Sequence, residues 1–209
     1  MRQSKIDEQN QYQLARQREF RAAADVITSA FTAFSEVVAI AVIGSVAGPL
    51  WKEVPRFREF RRAGVEVWHE CFDLDLAVWL ESLDRLGEMR RAFGLALRSA
   101  WSAGTGPSTA EHQADIFLFE PASDRYLGRL CNFNACPKGK PDCLVPGCGA
   151  IAFNKVVADF VPRADLLATA RQSMLYERKT GILMSALDLP GSPNGASPQG
   201  AAGHRPIGQ

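Results

Sequence analysis

One short segment limits the folds open to this chain more than any other feature: residues 72–80, FDLDLAVWL. In an extended strand Asp73 and Asp75, two apart, project from one face, while Leu74 and Leu76 project from the other. The strand continues as Ala77-Val78-Trp79-Leu80, apolar on both sides, which places it inside a covered sheet. Two carboxylates heading such a strand are costly unless they reach solvent, a cation or a hydrogen-bond network. A divalent ion resolves that cost, since magnesium favours carboxylate oxygens and keeps waters for substrate phosphates. Asp115 repeats the setting in HQADIFLFE, residues 112–120. Taken singly, each aspartate also reads as a solvated strand end. If the two strands are neighbours, three carboxylates meet at one edge. That suffices for two metals, one activating a hydroxyl and one steadying a leaving phosphate.

The surrounding pattern supports a sheet with helices against it. The first dozen residues are polar and read as frayed, and apolar residues then recur at helical spacing from Leu14 to Ser35. Residues 37–43, VVAIAVI, read as a buried strand ending at Gly44-Ser45. Residues 51–62 form an amphipathic stretch stopped by Gly64. After the Asp-Leu-Asp strand, Ser82 is placed to cap a helix running to about Trp101. Strands follow at 112–120 and 125–133, then a cysteine-rich loop and a helix over 164–178. Strands alternating with helices predict an α/β fold, a mixed β-sheet flanked by helices. We divide the chain into a core with an N-terminal helix at 1–130, the cysteine-rich loop and packing helix at 131–180, and a Gly/Pro/Ser-rich, disordered tail at 181–209.

Gly44-Ser45 sits where a strand gives way to a helical stretch. Glycine there permits close backbone approach, and a serine hydroxyl with exposed N–H groups can bind phosphate oxygens. The whole order is strand, Gly-Ser, helix, Asp-Leu-Asp strand, helix, and a third strand carrying Asp. It resembles the DNA polymerase β-like nucleotidyltransferase superfamily over about residues 37–120, through Gly44, Ser45, Asp73, Asp75 and Asp115. The resemblance implies transfer of a nucleoside monophosphate from a nucleoside triphosphate to a hydroxyl or similar acceptor. Asp73 and Asp75 would ligate two Mg2+ ions and the triphosphate, and Asp115 would bind the catalytic metal and help activate the acceptor. Residues 46–72 separate Ser45 from Asp73, more than the family usually shows, and include an Arg-rich helix and WHEC at 68–71. Such an insertion either lies on the surface or reshapes the triphosphate site, and an inactive relative of the fold is the second outcome.

Cys131, Cys136, Cys143 and Cys148 are spaced C-x4-C-x6-C-x4-C among glycines and prolines. Four thiolates suit a structural Zn2+, although the spacing is neither a pair of C-x2-C knuckles nor a ferredoxin run, and unligated or partly paired thiols are the alternative. Cys71 stands apart and reads as an ordinary buried thiol.

The chain carries 24 Lys+Arg against 23 Asp+Glu, a net charge of +1, which argues against strong global attraction to nucleic acid. Arg58, Arg61 and Arg62, with Lys52 and Arg56 nearby, read first as a solvated basic face and second as a triphosphate or nucleic-acid contact. His69 and His112 read as structural histidines. No G-x-x-x-x-G-K-[ST] loop is present. The first residues hold no export signal, and residues 37–50 are too few to span a bilayer about 30 Å thick, so a cytoplasmic protein with no membrane partner is expected. The acceptor is open: small molecule, protein or nucleic acid. The competing class is a non-catalytic interaction protein that uses the same fold and a zinc-bound cysteine loop.

Overall fold

The computed structural model describes residues 3–51, 55–104, 106–133, 135–136, 148, 151–157 and 159–191. Its first strand is β1 (Val37–Ile43), a run of β-branched and alanine residues with four consecutive buried positions at its end. β1 is flanked by antiparallel neighbours on both edges, β2 (Leu74–Leu80) and β6 (Gln172–Glu177). β2 continues to β3 (Ala114–Phe119), then to β4 (Tyr126–Leu130) and the short β5 (Asn154–Lys155). β7 (Gly181–Ile182) closes the other side, giving a seven-stranded sheet in the order β5-β4-β3-β2-β1-β6-β7. Among the described strands only β2 and β3 run parallel, and the helix α3 (Leu86–Ser102) supplies the crossover that a parallel pair needs. The chain is therefore an α/β protein with a mixed sheet.

Alternation along the strands sorts side chains into two layers. Leu74, Leu76, Val78 and Leu80 of β2 and Ile116 and Leu118 of β3 pack under Phe20, Ile27 and Phe31 of α1 (Gln3–Phe31) and Phe93 of α3. Each fully buried Phe or Leu here contributes about 1.5–3 kcal/mol. Ala77, Trp79, Phe117 and Phe119 face the other way, joined by Tyr126, Leu166 and Leu167. Asp75 and Asp115 belong to this second face by the same alternation.

Several sequence expectations are corrected. α1 starts at Gln3, not Leu14, because its first half turns polar residues inward and gives them backbone partners. Asn10 donates to the Glu66 carbonyl at 2.8 Å and accepts from Trp68 N–H at 3.1 Å, and Gln17 donates to the Gly48 carbonyl at 2.8 Å. Apolar periodicity cannot register such a face.

The helix expected over 164–178 is two 3-10 turns, Ala164–Leu167 and Thr169–Arg171, followed by β6. Without β6, one edge of β1 would keep its N–H and C=O groups unpaired beside a buried core. The sheet thus runs through the boundary set at residue 130. Residues 181–191 are also built into the molecule: Ala186 is fully buried, and Asp25 accepts from Ala186 N–H at 2.7 Å and from the Ser185 hydroxyl. Residues 192–209 of the expected tail lie outside the described residues.

The inserted stretch is shorter in helix than its pattern suggests. It holds a 3-10 turn at Pro55–Phe57 and α2 (Arg58–Arg62), and Gly64 ends it at φ +74°. Residues 66–69 lie along α1 and Leu50 through the Asn10 bonds above and His69 N–H to the Leu50 carbonyl at 3.2 Å. Among the described residues, no helix is long and apolar enough to cross a membrane.

Candidate metal centre

β2 and β3 lie side by side in parallel, and their register pairs Asp75 with Asp115. Both are second residues of their strands, so the two carboxylates emerge together at one end of the sheet. Asp73, just before β2, joins them: one carboxylate oxygen from each of the three lies within 4.8 Å of the others. Asp73 is exposed, while Asp75 and Asp115 are half-buried. Among the described residues this is the only group of three or more His, Cys, Asp or Glu side chains that closes up so tightly.

The electrostatics follow from burial first and crowding second. Burial, with help from Asp73 and Asp115, pushes Asp75 up to about 7. Burial, with help from Asp115, also raises Asp73. Carboxyls lifted in this way are held against desolvation as well as mutual repulsion, the condition that a divalent cation relieves.

On the other side of β2, the register pairs Ile43 with Asp75, so Gly44 follows directly alongside that carboxylate. Gly44 has φ +73°, and a Cβ built on it would stand 2.7 Å from Asp75 Oδ2. Glycine is required twice over, for the left-handed backbone and for the space. Ser45 is half-buried, and its carbonyl accepts from the Cys71 thiol at 3.7 Å. Burial is the main reason that this thiol is raised above its ordinary range.

The loop beyond, residues 45–50, is pinned from beneath by Arg21, a fully enclosed guanidinium on α1. Its Nε donates to the Val46 carbonyl at 3.0 Å, and its terminal nitrogens reach the carbonyls of Gly48 at 3.2 Å, Pro190 at 3.1 Å and Leu189. Burial draws Arg21 down to about 10, still charged near neutrality.

Arg129 completes the site from β4. Its Nη1 donates to Asp115 Oδ2 at 2.5 Å. Nothing in the local sequence YLGRL marks this residue; the β3–β4 register that pairs Arg129 with Phe117 is needed to bring it diagonally to Asp115.

The remaining candidates separate from the centre. His69 is buried, with Nδ1 against the Leu50 carbonyl, and His112 is exposed in a 3-10 turn. Arg61 stacks over Trp51 at 4.1 Å and donates to the Val67 carbonyl at 3.1 Å, and Arg62 pairs with Glu59. Those two arginines thus have local structural partners, and Lys52 lies outside the described residues. Of the cysteine set, Cys143 also lies outside them. The other three gather at the Phe153-Asn154 corner: Cys131 N–H donates to the Phe153 carbonyl at 2.8 Å, and Phe153 N–H donates to Cys136 Sγ at 3.3 Å. The Cys148 thiol meets the Asn154 carbonyl at 3.7 Å. Unlike the aspartates, these three sulfurs do not close to within 4.8 Å as a group.

No family model, curated protein or solved structure matches the chain.

Proposed function

We propose that this chain is a metal-dependent nucleotidyltransferase, moving a nucleoside monophosphate from a nucleoside triphosphate to an acceptor with release of pyrophosphate. The observation that carries this reading is the convergence of Asp73, Asp75 and Asp115 to within 4.8 Å beside the Gly44 turn. An all-carboxylate donor set with a raised Asp75 fits Mg2+, which keeps waters that phosphate oxygens can replace. Metal bound there would neutralise charge on the triphosphate and acidify the acceptor hydroxyl.

The chain's own residues then have defined tasks. Gly44, lacking a Cβ, leaves backbone exposed next to Asp75 for a phosphate oxygen, and Ser45 offers its hydroxyl to the same group. Asp115 accepts the acceptor's proton as the new phosphorus–oxygen bond forms and the bond to pyrophosphate breaks. The sheet face carrying the carboxylates lies opposite the α1–α3 layer, so the helices do not occlude it.

Calorimetry with each nucleoside triphosphate and Mg2+ tests the reading, alongside assay of pyrophosphate release. Wild type is expected to bind at least one triphosphate in a Mg2+-dependent manner, and Asp73→Ala/Asp75→Ala is expected to lose that binding. Absence of binding by folded wild type overturns nucleotidyl transfer and favours the non-catalytic interaction protein.

A structural Zn2+ on Cys131, Cys136, Cys143 and Cys148 belongs to the same proposal and rests on their C-x4-C-x6-C-x4-C spacing, since the three described sulfurs do not close up as a group. Metal analysis of the purified protein reads it directly. About one zinc per chain is expected for a four-thiolate site, and none sinks it.

A further inference from the structure

Among the described residues, Arg129 is the cation that acts on all three carboxylates. It is ion-paired with Asp115 at 2.5 Å, and its charge opposes the rise of both Asp73 and Asp75. It is not held by that pair alone. Its guanidinium carbon lies 5.2 Å from the centres of both the Phe117 and Phe160 rings, which themselves stack at 6.5 Å. Such a seat on two ring faces fixes a guanidinium without using up its N–H donors. The seat does not depend on Asp115, so the guanidinium keeps a place beside the centre when that carboxylate is engaged elsewhere. Lys155 is its cross-strand partner on β5, which puts a second cation on the same sheet face, one strand further from the carboxylates.

Two cations cannot share one carboxylate cheaply. A divalent ion on Asp115 would stand close to a guanidinium already donating to Asp115 Oδ2, and their repulsion in a half-buried site is large. The planar fork that leaves Asp115 is suited to bidentate pairing with phosphate oxygens. We propose that Arg129 is a displaceable counter-ion: it holds Asp115 while no metal is bound, yields that carboxylate to metal, and then binds the substrate's phosphate oxygens from its seat between Phe117 and Phe160. This role rests on the metal-centre reading above and adds a phosphate ligand that the motif residues do not include.

The test uses Mn2+ alone, and then inorganic pyrophosphate at saturating Mn2+, on full-length wild type and Arg129→Met. The variant is expected to bind Mn2+ about tenfold more tightly, because the competing charge is gone, and pyrophosphate about tenfold more weakly, because a charge-assisted fork is lost. Unchanged or weaker Mn2+ binding would mean that Arg129 props Asp115 for the metal, and overturns the inference. Unchanged pyrophosphate binding overturns it as well. Arg129→Gln, shorter and polar, carries the same expectations where Arg129→Met does not fold. Absence of Mn2+ binding in every protein sinks the metal centre and this role together. Both shifts in a protein that transfers no nucleotide would sink nucleotidyl transfer alone.

Discussion

Asp75→Asn is expected to make the metal-free protein more stable near pH 8 while removing the stabilisation by Mg2+ that the proposed metal centre implies. The folded protein holds Asp75 at about 7, above its ordinary value of 3.8, so the native state keeps that proton more tightly than the unfolded chain does. Stability from this group is complete below the unfolded carboxyl range and is lost as pH rises through about 7. Near pH 8 wild type therefore carries the whole penalty of an ionised, crowded Asp75. Asn has the same shape and no charge to lose. At about 1.36 kcal/mol per pH unit, and with water reaching part of the site, the variant should gain roughly 2 kcal/mol, or about 4–8 °C in Tm. Saturating Mg2+ should raise the melting point of wild type by a similar amount and leave that of the variant unchanged. A variant less stable than wild type near pH 8 would show that Asp75 makes a structural bond worth more than its repulsion costs.

Arg21→Met is the second large effect, and it lies far from any chemistry in sequence. Arg21 is about as enclosed as the core phenylalanines and satisfies four carbonyls, those of Val46, Gly48, Leu189 and Pro190. Methionine fills much of the volume and satisfies none of them. Stranding buried acceptors costs about 1–3 kcal/mol each where water cannot enter. A total loss of about 3–5 kcal/mol follows, since the loop can rearrange to wet some of them. Denaturant unfolding checks this, and a loss under about 1 kcal/mol would mean that the carbonyls find other partners. Arg21→Lys should recover only part of the loss, because an ammonium cannot span two loop segments of carbonyls as a flat guanidinium does.

Much of the core was legible in the sequence because alternation is a local signal. FDLDLAVWL announces both a buried strand and its polar end, and the second strand bearing Asp115 is readable in the same way. That the two aspartates are register partners was not readable, because register is a relation between strands. Arg129 is invisible in the sequence for the same reason. The inward polar face of α1 was missed because Asn10, Gln17 and Arg21 are buried by hydrogen bonding rather than by hydrophobicity. The segment at 172–177 reads as helix in sequence because six residues carry too little pattern to outweigh their neighbours, and what makes it a strand is the open edge of β1, distant in sequence.

The Arg21 clasp also sets an order in time. During synthesis α1, β1 and the glycine turn emerge early, but two of the four carbonyls that Arg21 holds belong to Leu189 and Pro190. β1 likewise waits for residues 172–177 to cover its second edge. A nascent chain that already contains all three aspartates therefore still lacks the finished loop beside them. Closing such widely separated contacts is slow, and it delays completion of that loop until Leu189 and Pro190 have left the ribosome.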